Sequence, residues 1–328
     1  MLLYFFLTNL MGQEKVTGIT MVAPPRPFES DPMPALKRLN SEWVAIVPYA
    51  FIGSNDASVR FGSSRQWWGE RKEGVIKSVE LAKANNLKIM IKPQIWMRGR
   101  WIGEMDYENE EEWRKWEDSY EQYLMSFVEI AEKMGVEMLC IGTEIEIASQ
   151  KRENYWRDLI QKVRNNYSGI LTYSSNWDSY KSIPFWDALD YIGISAYFPL
   201  TDADTPNVYY LKYKWGGIKK KLRSFSNKMG RPILFTEYGY LSVDGCADKT
   251  WELEKKRREL AANQKAQSNA LEALYSVFWD EEWWAGGFLW KWYPNGKAQE
   301  GRREKDYTPQ GKISEQTIKK WYQKSTAQ

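Results

Sequence analysis

Met138-Leu-Cys-Ile-Gly-Thr-Glu144 is an apolar run about one strand long that ends in a carboxylate, where the chain turns polar. Ile233-Leu-Phe-Thr-Glu237-Tyr-Gly-Tyr240 repeats the pattern 93 residues later (237 − 144). Near-continuous apolar strands are what a sheet covered on both faces requires. A carboxylate at the exit of a buried strand is costly unless it faces a solvent-filled site. Two of them in matching contexts predict a pair that meets over one substrate, the raw material of glycoside hydrolysis.

Outward from these two runs, similar short β-rich segments recur at 16–22, 43–49, 88–95, 137–143, 170–174, 191–196, 233–236 and 287–290. Helix-like stretches lie between them at 34–39, 75–85, 110–134, 155–165, 218–229 and 253–280, and 313–323 follows the last strand. Val75, Val79, Leu81 and Ala82 illustrate the 3.6-residue apolar spacing. The fifth and sixth strands are joined by little more than a helical turn around 184–189. Eight strands in alternation with helices or connectors predict the α/β class and a single (β/α)8 TIM barrel over 13–328, not an open doubly wound sheet. No G-x-G-x-x-G follows the first strand, so the dinucleotide-binding alternative lacks its sign. No repeat, low-complexity linker or break in composition marks a second domain.

Composition narrows the chemistry. Hydrophobic residues make up 43% and charged residues 27% of the 328, enough for a full core. The net charge of +3 is small, and neither nucleic acid nor a membrane surface is expected as a partner. Histidine is absent, which excludes Ser-His-Asp and Cys-His catalysis and His-ligated zinc. Acid–base work near neutral pH falls to carboxyls, Tyr, Lys or Cys. Cys140 in a strand and Cys246 in a loop read as two free thiols with no metal spacing. Aromatics reach 15%, with 18 Trp and 20 Tyr, and flat exposed rings suit the apolar faces of sugars. At the N-terminus, the apolar run 2–11 before Gly12 is too short to span a bilayer. It fits the back half of a signal peptide over 1–12 and a secreted or periplasmic protein.

In a (β/α)8 barrel the active site forms at the C-terminal ends of the strands. Both Thr-Glu pairs fall there, after strands four and seven. Carboxyl groups about 5–5.5 Å apart would make the mechanism retaining, through a covalent glycosyl-enzyme.

The segments Lys88-Ile-Met-Ile-Lys-Pro93, Cys140-Ile-Gly-Thr-Glu144, Trp186-Asp-Ala-Leu-Asp-Tyr-Ile-Gly-Ile-Ser-Ala-Tyr-Phe-Pro-Leu200, Pro232-Ile-Leu-Phe-Thr-Glu-Tyr-Gly-Tyr240 and Gly287-Phe-Leu-Trp-Lys-Trp292 stand in order along the chain. Together they resemble glycoside hydrolase family 113, a family of β-mannanases within the large clan of retaining barrel glycosidases. The resemblance implies Glu144 as acid/base and Glu237 as nucleophile, acting on β-1,4-mannan or manno-oligosaccharides with no metal or organic cofactor. Thr143 stands where many clan relatives carry Asn, and Gln94 where the family commonly has His. Gln hydrogen-bonds a hydroxyl but neither carries charge nor accepts a proton.

Glu146 is the rival acid/base if the strand continues past Glu144; the strand exit marked by Gly142-Thr143 and the resemblance both favour Glu144. Tyr197, at the end of strand six, is placed to hydrogen-bond the nucleophile, and Trp290, ending strand eight, to floor the subsite of the broken bond. Tyr49, Gln94, Trp96, Arg98 and Asn176 also sit at strand exits as candidate sugar contacts. Lys92 reads equally as a structural ion pair or a ligand. A monomer acting on a β-linked polysaccharide or oligosaccharide is expected. A related hydrolase on galactan, glucan or xylan is the alternative, as is a catalytically silent carbohydrate-binding barrel. An insertion at 201–214 or 242–251 that closed one end of the groove would make the enzyme exo-acting.

Overall fold

A computed structural model of the chain describes residues 14–53, 56–295 and 303–325; the predicted signal segment 1–12 lies outside them. Eleven strands are described: β1 (Val16–Met21), β2 (Trp43–Ile46), β3 (Tyr49–Ile52), β4 (Val59–Arg60), β5 (Lys88–Ile91), β6 (Gln94–Met97), β7 (Met138–Thr143), β8 (Ile170–Asn176), β9 (Tyr191–Ser195), β10 (Ile233–Tyr238) and β11 (Trp284–Trp292). The helices are α1 (Met33–Lys37), α2 (Lys72–Ala84), α3 (Glu110–Lys133), α4 (Glu146–Lys151), α5 (Glu153–Arg164), α6 (Val208–Met229), α7 (Thr250–Lys256), α8 (Gln264–Phe278) and α9 (Ile313–Tyr322). Eight strands close a parallel barrel in the order β1-β11-β10-β9-β8-β7-β5-β2. This is the predicted (β/α)8 barrel, and each predicted strand contributes to it.

Strand alternation builds two cores. Trp43, Ala45, Met90, Met138, Cys140, Leu234 and Phe288 fill the barrel interior. Val44, Ile46, Ile89, Ile91, Leu139, Ile141 and Phe235 face outward into the layer shared with the helices. Period-2 alternation on strands buried on both faces requires this division. Among the helices, α3, α6 and α8 each start on an Asn cap: Asn109, Asn207 and Asn263 accept from the N–H of Glu112, Tyr210 and Ala266, each at 2.9 Å. Both cysteines are free and buried.

Three differences from the sequence reading have local causes. The runs at 43–49 and 88–95 are each split by a proline, Pro48 and Pro93, which has no N–H to offer a ladder. Past these prolines, Tyr49–Ile52 and Gln94–Met97 leave the barrel and pair as parallel β3 and β6 of a separate three-stranded sheet, β4-β3-β6. The stretch 253–280 is two helices, because Asn263 caps a new start at α8. The chain past Glu144 does not continue as a strand. Glu144 adopts φ of 55° and the backbone turns directly into α4.

Candidate active site

Glu237 lies near the end of β10, where alternation would send it outward. Leu234 faces the barrel interior, Phe235 the helices, and Thr236 the interior again, hydrogen-bonding Ser174 at 2.6 Å. A register shift between Leu234 and Glu237 against β9 breaks the sequence of faces. Such bulges re-aim a side chain, and Glu237 turns into the barrel mouth. Its carboxylate is buried and held by three donors. The ammonium of fully buried Lys92 and the Gln94 amide both donate to Oε1, Gln94 at 2.7 Å, and the Tyr197 hydroxyl donates to Oε2 at 2.9 Å. Burial and the Glu237 charge push the Tyr197 phenol well above its ordinary range, which keeps it a donor.

Glu144 is the residue that leaves β7. Its N–H donates to the Ser174 carbonyl at 2.7 Å, which ties the turn to β8. A non-glycine residue in the left-handed region is uncommon and clusters at functional sites. The residue is half-buried, with protein around much of the side chain. That surrounding protein, more than the exposed part, governs its proton affinity. Burial raises the carboxyl above the ordinary range and the charge of Glu237 raises it further, against bonds from Ser195 and Trp101 and the charge of Lys92. The Trp101 indole donates to Oε2 at 2.9 Å. Its ring lies where a side chain on Gly103 would stand, 2.3 Å from the nearest ring atoms, so only glycine leaves it the seat.

The remaining predicted residues divide. Tyr49 and Gln94 open the side sheet at the barrel mouth, and Tyr49 is half-buried, its phenol pushed upward by desolvation and by the charges of Glu237, Glu70 and Glu144. Trp290 is half-buried, with the Lys92 ammonium 5.8 Å and the Lys291 ammonium 5.5 Å from its ring. Gly239 lets this strand end close in: an added Cβ would stand 2.4 Å from the Trp290 carbonyl oxygen. Asn176 ends β8 and donates to Asp178 at 2.9 Å. Trp96 and Arg98 are exposed further out on the side sheet. Glu146 starts α4, and its carboxyl bonds Ser179 beside Asp178; Glu237 is not among the charges that shift it. Trp101 escaped the sequence reading of the site, since its loop has no periodicity and only its fold-dependent contact marks it. Lys92, a cation at the end of an apolar strand that the sequence left open between an ion pair and a ligand, is paired with Glu237.

The loops leaving β1 and β11, with α1, border an open pocket of about 790 Å³ lined by Pro24, Pro25, Phe28, Arg38 and Pro294, among others, and by neither carboxylate. Among the described residues no cluster of His, Cys, Asp and Glu is arranged to hold a metal ion, and no helix is long and apolar enough to cross a membrane. Two carboxyls near enough for the charge of one to shift the other, one ringed by donors and one with raised proton affinity, form an arrangement that an acid and a nucleophile could use.

Comparison with known proteins bears on the family and the fold. Residues 27–312 match the sequence model of Glycoside Hydrolase Family 113. A family 113 β-mannanase from Alicyclobacillus acidocaldarius, solved in complex with ManMIm, superposes with a TM-score of 0.82 at 27% identity, covering 95% of this chain and 98% of that one. A complex of a family 113 β-1,4-mannanase gives 0.79 at 26% identity, covering 94% and 99%. A β-glucuronidase from Faecalibacterium prausnitzii, at 12% identity and a TM-score of 0.62, covers 94% of this chain and 49% of that one, and shares the fold alone. A search of the curated proteins gave no match.

Proposed function

The chain belongs to glycoside hydrolase family 113, and we propose that it cleaves β-1,4-mannosidic bonds in mannan, glucomannan or manno-oligosaccharides with retention of configuration. Glu237 attacks the anomeric carbon while protonated Glu144 gives its proton to the leaving oxygen. The ionised Glu144 then takes a proton from the water that releases the sugar from Glu237. The observation that carries this reading is the coupling of the two carboxyls. Lys92, Gln94 and Tyr197 present donors to Glu237, and the Glu237 charge in turn helps to keep a proton on Glu144. Once the glycosyl bond forms on Glu237 that charge is gone, and Glu144 becomes a better proton donor at the step that needs one and then a base.

The substrate assignment is supported by the two related mannanase structures above. Both are mannanases, which supports a mannanase over a mannosidase. The loops after β9 and β10 hydrogen-bond each other, Leu200 to the Ala247 carbonyl at 2.7 Å and Gly245 to that of Asp204 at 3.1 Å. The apolar run at 2–11 supports export to where such polysaccharides occur.

Product analysis by NMR tests the reading. Wild type incubated with β-1,4-manno-oligosaccharides is expected to release the β-anomer first. Glu144→Ala is expected to lose about 10²–10⁴-fold in rate, and Glu237→Ala to lose nearly all activity. Initial release of the α-anomer would overturn retention, and intact oligosaccharides would overturn the substrate.

A further inference from the structure

The side sheet continues the catalytic centre outward. Alternation puts Tyr49 and Phe51 of β3 on one face and Ala50 and Ile52 on the other. In β6, Gln94 and Trp96 share the first face, and Ile95 and Met97 the second. The second face is packed into the main core. The first begins at the reacting groups, since Gln94 donates to the nucleophile and Tyr49 is its register partner.

One strand repeat further out, Phe51 pairs with Trp96. Their rings are 6.1 Å apart at 60°, with Phe51 36% and Trp96 51% exposed. Two residues along a strand advance about 7 Å, a step comparable to one hexose. The fold gains little by leaving two large rings side by side in water, because its stabilising burial lies on the opposite face. Arg98, exposed two residues beyond Trp96, places donors after the rings.

We propose that this face is a glycan-binding ramp, which takes the sugar next to the reacting one on Trp96 and passes the chain outward over Phe51 toward Arg98. The inference rests on the glycosidase reading and adds to it a specific subsite and its platform. An indole presents a flat apolar surface to the C–H face of a pyranose, and Phe51 meets the indole at an angle that holds it upright. The side sheet, set apart from the barrel by Pro48 and Pro93, is then an element built for polymer binding.

Kinetics on short and long β-1,4-manno-oligosaccharides test this with wild type, Trp96→Ala and Trp96→Phe. On long chains Trp96→Ala is expected to lose about ten-fold in kcat/KM, chiefly through KM, in line with the worth of one aromatic platform. Trp96→Phe should restore most of it. The loss should shrink on the shortest oligosaccharide cleaved, and thermal unfolding should not move, because the ring is exposed. Unchanged kcat/KM for Trp96→Ala on long chains overturns the ramp while leaving the glycosidase reading intact. Equal losses on short and long chains also overturn it. A wild type that cleaves no mannan overturns both, and is told apart by the inactivity of the parent enzyme.

Discussion

Trp101 shows how one side chain tunes the proposed acid. Its indole N–H stabilises the ionised form of Glu144 and therefore opposes the burial and charge that raise that carboxyl. Trp101→Phe removes the donor and keeps most of the ring. The pKa of Glu144 should rise, so the alkaline limb of the kcat/KM profile, which reports loss of the protonated acid, is expected to move to higher pH. A profile that shrinks without shifting would show that Trp101 only packs. Glu144 and Glu237 were legible in the sequence because a carboxylate ending an apolar strand is conspicuous one residue at a time. Trp101 was not, as its partner lies 43 residues away and nothing local distinguishes it from other loop tryptophans. Gln94 lies between these cases: its departure from the family's usual His was visible, whereas its donation to Glu237 required the fold.

Among the elements, the ends of β10 and β11 decide the shape of the mouth. The shift that turns Glu237 inward and the approach of Gly239 to the Trp290 carbonyl occur within three residues of each other. In Gly239→Ala the new methyl would stand 2.4 Å from that backbone oxygen, and neither partner is a flexible side-chain end. A cost of about 1–3 kcal/mol is expected, read as a lower urea midpoint, as for other overpacked sites. A fall in kcat should accompany it as Trp290 moves from the nucleophile. Unchanged stability would mean that the strand ends separate freely. The eight strands themselves were legible from apolar runs. The side sheet was not, because β3 and β6 continue the β-rich composition of β2 and β5 and only Pro48 and Pro93 mark the break.

Across the whole molecule, closure of the barrel joins its first and last strands, β1 and β11, and a chain of phenols fastens the outer layer over that seam. Tyr238 of β10 bonds Tyr275 of α8 and Tyr322 of α9, each at 2.9 Å, and Tyr322 donates to the Gly18 carbonyl of β1 at 2.7 Å. All three rings are fully buried. Tyr322→Phe leaves the Gly18 carbonyl and one phenol short of a partner, at an expected cost of about 1–3 kcal/mol in global unfolding. Activity well below the unfolding transition should be close to wild type, and a selective loss of activity without loss of stability would count against a purely structural role. The barrel, its strand count and the two carboxylates were set by alternation and strand-end chemistry, which act between neighbours along the chain and so can be read residue by residue. The inward turn of Glu237, its buried partner Lys92 at a separation of 145 residues, the Trp101 bond to Glu144 and the ramp of the side sheet came only with folding. Each depends on which distant segments closure of the barrel brings within hydrogen-bonding reach, and short-range periodicity carries no information about that.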